Sequence, residues 1–286
     1  ALEGPTMSDE VTPTQTSTRG SPSTDSRTDD DQRNPILRVE GVTKQFGGIN
    51  ALDGVNLAVD PGMTGLIGPN GAGKTTLFNC LTGFHKPDEG RIHLYGEDTT
   101  GREPPAVAQQ GMVRTFQIPR ELADMTVFEN LLVAPMNQHG ERLRGAWVRG
   151  TQFVEEEQAI RDRARAIAEF FEIDHLLDQP AGSLSGGQRK LLEIARALLT
   201  EPDIVLLDEP LAGVNPTLEQ KILGRIKELV NDGYSFLLIE HDIDLIMENC
   251  ERVVVMHQGA VLTAGTPEAV QADERVIEAY LGGDGV

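Results

Sequence analysis

The stretch "MTGLIGPNGAGKTTLFNCLTG", residues 63–83, constrains the fold more than any other part of the chain. A short apolar run enters "GPNGAGKT", and a run with helical spacing and a glycine stop leaves it. The loop fits G-x-x-x-x-G-K-[ST] at Gly68, Gly73, Lys74 and Thr75. A strand before it and a helix after it are the context that confirms the pattern. Glycines there let backbone amides close around phosphate oxygens. Lys74 can neutralise charge, and the Thr75 hydroxyl can ligate Mg2+. The alternative is a plain glycine turn between two elements, which this context disfavours.

"DIVLLDE" (203–209) and "SFLLIEHD" (235–242) are continuously apolar before they turn acidic. Such runs read as strands buried on both faces. They alternate with the helix-like stretches "LSGGQRKLLEIARALL" and "PTLEQKILGRIKELV". The expected class is α/β, with three layers around a mostly parallel sheet. "ILRVEGVTKQF" and "GVNLAV" alternate apolar and polar residues, which predicts an antiparallel N-terminal β subdomain with one wet face. "GRIHLYGE" is a further strand, and "RVVVMHQGAVLTAG" a strand pair. "MTVFENLLVA" and "EEEQAIRDRARAIAEFFEI" carry apolar residues at helical intervals, so a helical subdomain is expected over about 118–198. The piece between them, "APMNQHGERLRGAWVRG", is irregular and holds the only Trp. "TPEAVQADERVIEAYLG" is expected to close the chain as one helix, with Thr266 as N-cap and Pro267 as its first residue.

Residues 1–34 are rich in Ser, Thr, Asp and Pro, and they cannot bury enough surface to offset their ordering entropy. They are expected to be a disordered acidic tail ahead of a folded domain at 35–283. "ALEGPT" (1–6) fits an expression scar before a start at Met7. The chain has 286 residues, 39% hydrophobic, which suits one large domain or a domain with a subdomain. Its net charge of −20 argues against nucleic acid as a partner. Only six of the 25 basic residues are Lys. An acidic, Lys-poor surface suits a salt-rich cytoplasm such as a halophilic archaeon's, where self-repulsion is screened. Cys80 and Cys250 have no metal-like spacing and read as small buried hydrophobes in a reducing compartment. No apolar run approaches the roughly 18–20 residues of a membrane helix. The expectation is a cytosolic chain whose membrane role, if any, needs a partner.

Asp208 and Glu209 end a buried strand, at the sheet edge where ligands sit in open α/β folds. Asp208 can hold Mg2+, and Glu209 can polarise an attacking water; the alternative is a pair of acids capping the next helix. His241 ends another buried strand and can reach the same edge, although a lone His is usually structural. Gln117 stands where sheet core passes into helical subdomain. Phe46 can stack on an adenine or pack in the core. "LSGGQ" at 184–188 opens a helix, a second anion grip with no lysine of its own.

"GPNGAGKTT", "TFQ", "LSGGQRK", "IVLLDEP" and "LLIEHD", in that order, resemble the ATP-binding subunit of ABC transporters, over residues 36–283. "FGGINALDGVNL", "GMVRTFQ", "MTVFENLLVA", "EPLAGVNP" and "VIEAYLGG" are similar to the ATP-binding subunits of branched-chain amino-acid importers. Subunits for urea or amides share much of this second set. The resemblance implies an ABC ATPase fold that hydrolyses ATP to drive transport. It implies that Gly68, Pro69, Asn70, Gly71, Ala72, Gly73, Lys74, Thr75 and Thr76 bind the phosphates, and that Thr75, Gln117 and Asp208 surround Mg2+. Gln117 would also sense the γ-phosphate. Glu209 would be the catalytic base, His241 would hold the γ-phosphate and attacking water in line, and Phe46 would be the adenine platform. Leu184, Ser185, Gly186, Gly187 and Gln188 would bind the γ-phosphate of ATP held by a second ATP-binding subunit, a copy or a paralogue.

The implied partners are integral-membrane permease subunits and a solute-binding protein, with no nucleic acid. The implied place is the cytoplasmic face of the plasma membrane. Two departures stand out: Asn215 where many members have Asp, and Phe46 where Tyr is commoner. A lipid exporter is one alternative. A soluble ABC ATPase acting on ribosomes or DNA is another, but such proteins usually carry two fused units or a long coiled coil. This chain has one set of motifs and no long heptad run.

Overall fold

The computed structural model describes residues 35–115, 122–134 and 151–281, the last with side chains over 155–280. The tail at 1–34, Gln117, the stretch 135–150 with the only Trp, and the chain beyond 281 lie outside the described residues.

Strands β1 (Leu37–Phe46) and β2 (Ile49–Val59) form the expected antiparallel hairpin, with Leu37 opposite Val59 and Phe46 opposite Ile49. Strand β3 (Met63–Ile67) runs into the glycine loop and helix α1 (Lys74–Leu81). Strands β4 (Glu89–Leu94) and β5 (Glu97–Asp98) complete a four-stranded sheet of order β2-β1-β4-β5. Helix α2 (Pro104–Gln109) leads to β6 (Met112–Arg114). Then come α3 (Val127–Leu132), α4 (Thr151–Phe170) and α5 (Gly186–Leu198). The remainder alternates: β7 (Ile204–Asp208), α6 (Pro216–Asn231), β8 (Ser235–Ile239), α7 (Ile243–Asn249), β9 (Arg252–His257), β10 (Ala260–Gly265), α8 (Pro267–Gln271) and α9 (Glu274–Leu281).

The second sheet has the order β10-β9-β3-β8-β7-β6, and every pair in it is parallel except β10–β9. All five residues of β3, β7 and β8 are buried, as a strand covered on both faces requires. The two faces serve two cores. Val205 and Leu207 of β7 join the apolar sides of α4, α5 and α6. Ile204 and Leu206 join α1 and the antiparallel sheet. Each such side chain contributes about 1.5–3 kcal/mol of burial free energy before entropy is counted. The parallel sheet is therefore clamped between layers, and its carboxyl edge can hold polar groups at fixed positions.

The expected single C-terminal helix is two helices. Thr266 caps α8 as anticipated, its Oγ1 accepting from the Ala269 N–H (3.4 Å). At Asp273 the carboxylate accepts from the Arg275 N–H (3.0 Å), competing with a continuing helical ladder, and α9 starts afresh.

Asn130 is fully buried on α3. Its Oδ1 accepts from the Leu122 N–H (2.9 Å), and its Nδ2 donates to the carbonyls of Leu122 (3.0 Å) and Thr126 (3.0 Å). It thus organises the turn leading into the helical layer. Asn130→Leu orphans these groups, and we expect a loss of about 2–3 kcal/mol in chemical denaturation. A loss below about 0.5 kcal/mol would mean the turn pairs with water instead.

Candidate functional site

The glycine loop is built by close approach as well as by backbone angle. Gly68 and Gly73 have φ of 151° and 102°. A Cβ on Gly73 would lie 2.6 Å from the Ala51 carbonyl oxygen, and one on Gly68 would strike the carbonyl of Met256. The β9–β10 turn grips the loop, because the Gly259 N–H donates to the Ala72 carbonyl (3.0 Å). No side chain caps α1, so its first amides face the loop's interior without a side-chain acceptor. Lys74 is buried, and its Nζ donates to the carbonyls of Gly68 (2.6 Å) and Pro69 (3.2 Å). Burial pulls its pKa down, while the charges of Glu209 and Asp208 push it back up. A lysine so placed is a cation held in a partly desolvated cleft, poised for an anion.

A cavity of about 410 Å³ opens here, lined by Ala51, Asn70, Gly71, Ala72, Gly73, Lys74, Thr75, Thr76, Glu209, Ile239 and His241. Chain segments far apart in sequence therefore meet at one sheet edge. Gly68 and Pro69 stay outside the lining and serve as carbonyl acceptors for Lys74.

Glu209 follows β7 with a φ of +50°, an uncommon region for a non-glycine residue that costs on the order of 1–3 kcal/mol. Its N–H donates to the Ile239 carbonyl (3.0 Å), and Lys190 Nζ donates to its own carbonyl (3.0 Å). This pinned kink turns the carboxylate into the cavity. There Oε1 lies 2.7 Å from His241 Nε2, which donates when that nitrogen carries the hydrogen. The capping alternative for this acidic pair fails. Asn215 caps α6, its Oδ1 accepting from the Leu218 N–H (3.0 Å). Asn and Asp are near-equal N-caps, so the Asn215 departure costs this fold little.

Asp208 is buried but does not line the cavity. Its Oδ2 is 2.5 Å from Nη2 of Arg114, whose Nη1 donates to Asn79 Oδ1 (2.6 Å). Sequence reasoning passed over Arg114, although it sits inside the quoted "GMVRTFQ", three residues before Gln117. It also passed over Glu240, which is buried and accepts from the Leu211 N–H (2.9 Å).

Burial raises the Glu240 pKa above 4.5, and the charge of Glu209 adds to the rise. A carboxyl with a raised folded pKa gives stability that is fully present below its unfolded value. That stability is lost as pH climbs through the folded value. Glu240→Gln, which cannot ionise, should gain in melting temperature over the wild type between about pH 5 and about pH 7.5. A constant difference across that range would remove Glu240 from the pH response.

Phe46 is 43% exposed, so the core-packing alternative fails. Its ring meets His85 edge-on at 5.2 Å, and it does not line the cavity. Cys80 and Cys250 are buried free thiols, pushed by burial up to about 11 and about 12. Ser185 caps α5: its Oγ accepts from the Gln188 N–H (3.3 Å), and Gln188 Oε1 accepts from the Ser185 N–H (2.9 Å). Leu184 is buried, Ser185 and Gly186 are exposed, and none of Leu184–Gln188 lines the cavity. The segment Leu184–Gln188 thus lies outside the lining of that cavity. Gln117 lies outside the described residues.

Comparison with known proteins gives this arrangement a family. Residues 52–212 match the model of the ABC transporter family, and residues 260–286 match that of the branched-chain amino acid ATP-binding cassette transporter. A probable branched-chain amino acid transport ATP-binding protein of Archaeoglobus fulgidus is 43% identical over 252 residues, covering 86% of this chain and 95% of that one. A nucleotide-free ATP-binding cassette from an ABC transporter superposes with a TM-score of 0.75 at 42% identity, covering 86% of this chain and 98% of that one. A dimeric, post-hydrolysis ATP-binding cassette bound to ADP and Pi superposes with a TM-score of 0.66 at 26% identity, covering 81% and 99%. The chain belongs to the ABC transporter family, and within it to the ATP-binding cassettes.

Proposed function

We propose that this chain is the ATP-hydrolysing subunit of an importer for branched-chain amino acids. The observation that carries the catalytic part is the single cavity shared by the phosphate loop, Glu209 and His241. Loop amides and Lys74 hold the phosphates; Glu209 accepts the proton of the attacking water; His241 keeps that water and the γ-phosphate in line. Asn70–Thr76 act directly at the phosphates, with Gly68 and Pro69 shaping the loop behind them. Phe46, exposed and beyond the lining, is the adenine platform in this reading.

The donors near the cavity fit Mg2+. Among the described residues no group of three or more His, Cys, Asp or Glu could hold a metal alone. The set is instead a hydroxyl, Thr75, and a carboxylate, Asp208, which suits a cation whose octahedron is completed by substrate phosphates and water. Gln117 is the third donor in this reading. Bound there, Mg2+ would neutralise charge on the β- and γ-phosphates.

The separate position of Leu184–Gln188 supports a composite site, in which this segment meets ATP on a second cassette. That partner is a copy or a paralogue. Among the described residues no helix is long and apolar enough to cross a membrane. In this reading the chain works on permease subunits at the cytoplasmic face of the plasma membrane, with a solute-binding protein supplying the substrate. The amino-acid assignment leans on the likeness to branched-chain transport proteins. The test is reconstitution in vesicles with the neighbouring permeases and binding protein. ATP-driven uptake of labelled leucine, competed by isoleucine and valine, is expected. Competition by urea or amides, with no leucine uptake, would overturn the substrate assignment.

A further inference from the structure

Arg114 is a half-buried cation outside the cavity, its side chain 8% exposed and its guanidinium committed to two other elements. Its strand β6 pairs with β7 in parallel register, Arg114 opposite Leu206. From there Nη2 reaches Asp208 Oδ2 (2.5 Å) at the end of β7, and Nη1 reaches Asn79 Oδ1 (2.6 Å) on α1. The guanidinium also lies 5.5 Å from the Phe78 ring on the same helix. The two elements joined in this way carry the two described donors assigned above to Mg2+: Thr75 at the start of α1 and Asp208 at the end of β7. Of the two oxygens of Asp208, the fork takes Oδ2 and leaves Oδ1.

We propose that Arg114 is a positioning residue for the metal site. Its planar fork sets the spacing between α1 and β7, and with it the spacing between Thr75 and Asp208. It presents Oδ1 of Asp208 to the cation. Mg2+ tolerates little departure from its octahedron, so a donor spacing set from behind decides its affinity. The fork matters as much as the charge. A lysine offers a point charge and cannot bridge two acceptors in a fixed plane.

The inference rests on the Mg2+ reading above, and one experiment separates the two. Dissociation constants of a fluorescent, non-hydrolysable ATP analogue are measured with Mg2+ and with EDTA, for the wild type, Arg114→Lys and Asn79→Leu. The wild type should bind more tightly with Mg2+; if it does not, the Mg2+ reading falls and this inference falls with it. If it does, Arg114→Lys should lose about tenfold or more of the Mg2+-dependent gain, with EDTA binding within about twofold of wild type. Asn79→Leu keeps the Asp208 contact but frees the far arm of the fork, and it should lose a smaller part of the gain. It decides the matter if Arg114→Lys does not fold. A gain equal to wild type in the folded variants would overturn the proposal. So would an equal loss with and without metal, which marks mere packing, or a larger Mg2+-dependent gain in Arg114→Lys, which would make Arg114 a competitor of the cation.

Discussion

Glu209→Gln is expected to cut the ATPase rate about 10³-fold, or about 4 kcal/mol of barrier, while leaving ATP binding within a few-fold of wild type. Gln keeps the shape of the side chain and can still accept from His241, so the 2.7 Å contact survives without the proton acceptor. The kinked backbone is held by Ile239 and Lys190 through main-chain atoms, so folding stability should change by less than about 0.5 kcal/mol. With ATP and Mg2+ the variant should migrate as a dimer in gel filtration, because the bridging γ-phosphate is no longer removed. High salt should favour that dimer, since each chain carries a net charge of −20 and screening relieves the repulsion. A rate within about tenfold of wild type would show that Glu209 is not the base. A dead enzyme that stays monomeric would place the second cassette in a different chain.

What could be read from the sequence follows from where the chemistry sits. Lys74, Asp208, Glu209 and His241 each stand at the end of an apolar run that can only be a buried strand or its sequel. Strand ends of a parallel sheet share one edge, so local patterns were enough to bring three of these side chains to one cavity. Arg114 stayed hidden because its partner Asp208 is 94 residues away, and nothing in "GMVRTFQ" says which way a strand arginine points. Glu240 was masked by its neighbour. Side chains alternate along a strand, and the residue before His241 turns inward to serve Leu211. The break between α8 and α9 was missed because apolar spacing continues through it. Asp273 interrupts the ladder by binding its own following turn, an effect of one side chain rather than of periodicity. The alternatives for Phe46 needed its exposure, which no local pattern supplies.

Lys74→Ala and Ser185→Arg are each expected to lose ATPase activity by at least about a hundredfold, for reasons in different places. Lys74 is the buried cation of the phosphate loop, and its Nζ donates to the carbonyls of Gly68 and Pro69. Ser185 stands outside that cavity, and its hydroxyl and amide pair with Gln188 in a capping box at the start of α5. An arginine there fills the space over Gly186 and removes an N-cap, a stability cost of about 1 kcal/mol that melting would register. If the two grips served the same chain, mixing the two inactive proteins would restore nothing. If each cavity is closed by the signature segment of the opposite chain, a heterodimer has one site with both defects and one with neither. Equal mixing makes about half the dimers heterodimers, so roughly a quarter of wild-type activity should return if the sites act independently. The measurement is phosphate release from the mixture, beside each variant alone at the same total concentration. Activity no greater than the mean of the two would rule out the composite site. Recovery well above either variant would explain why one chain carries two anion grips and a single phosphate lysine.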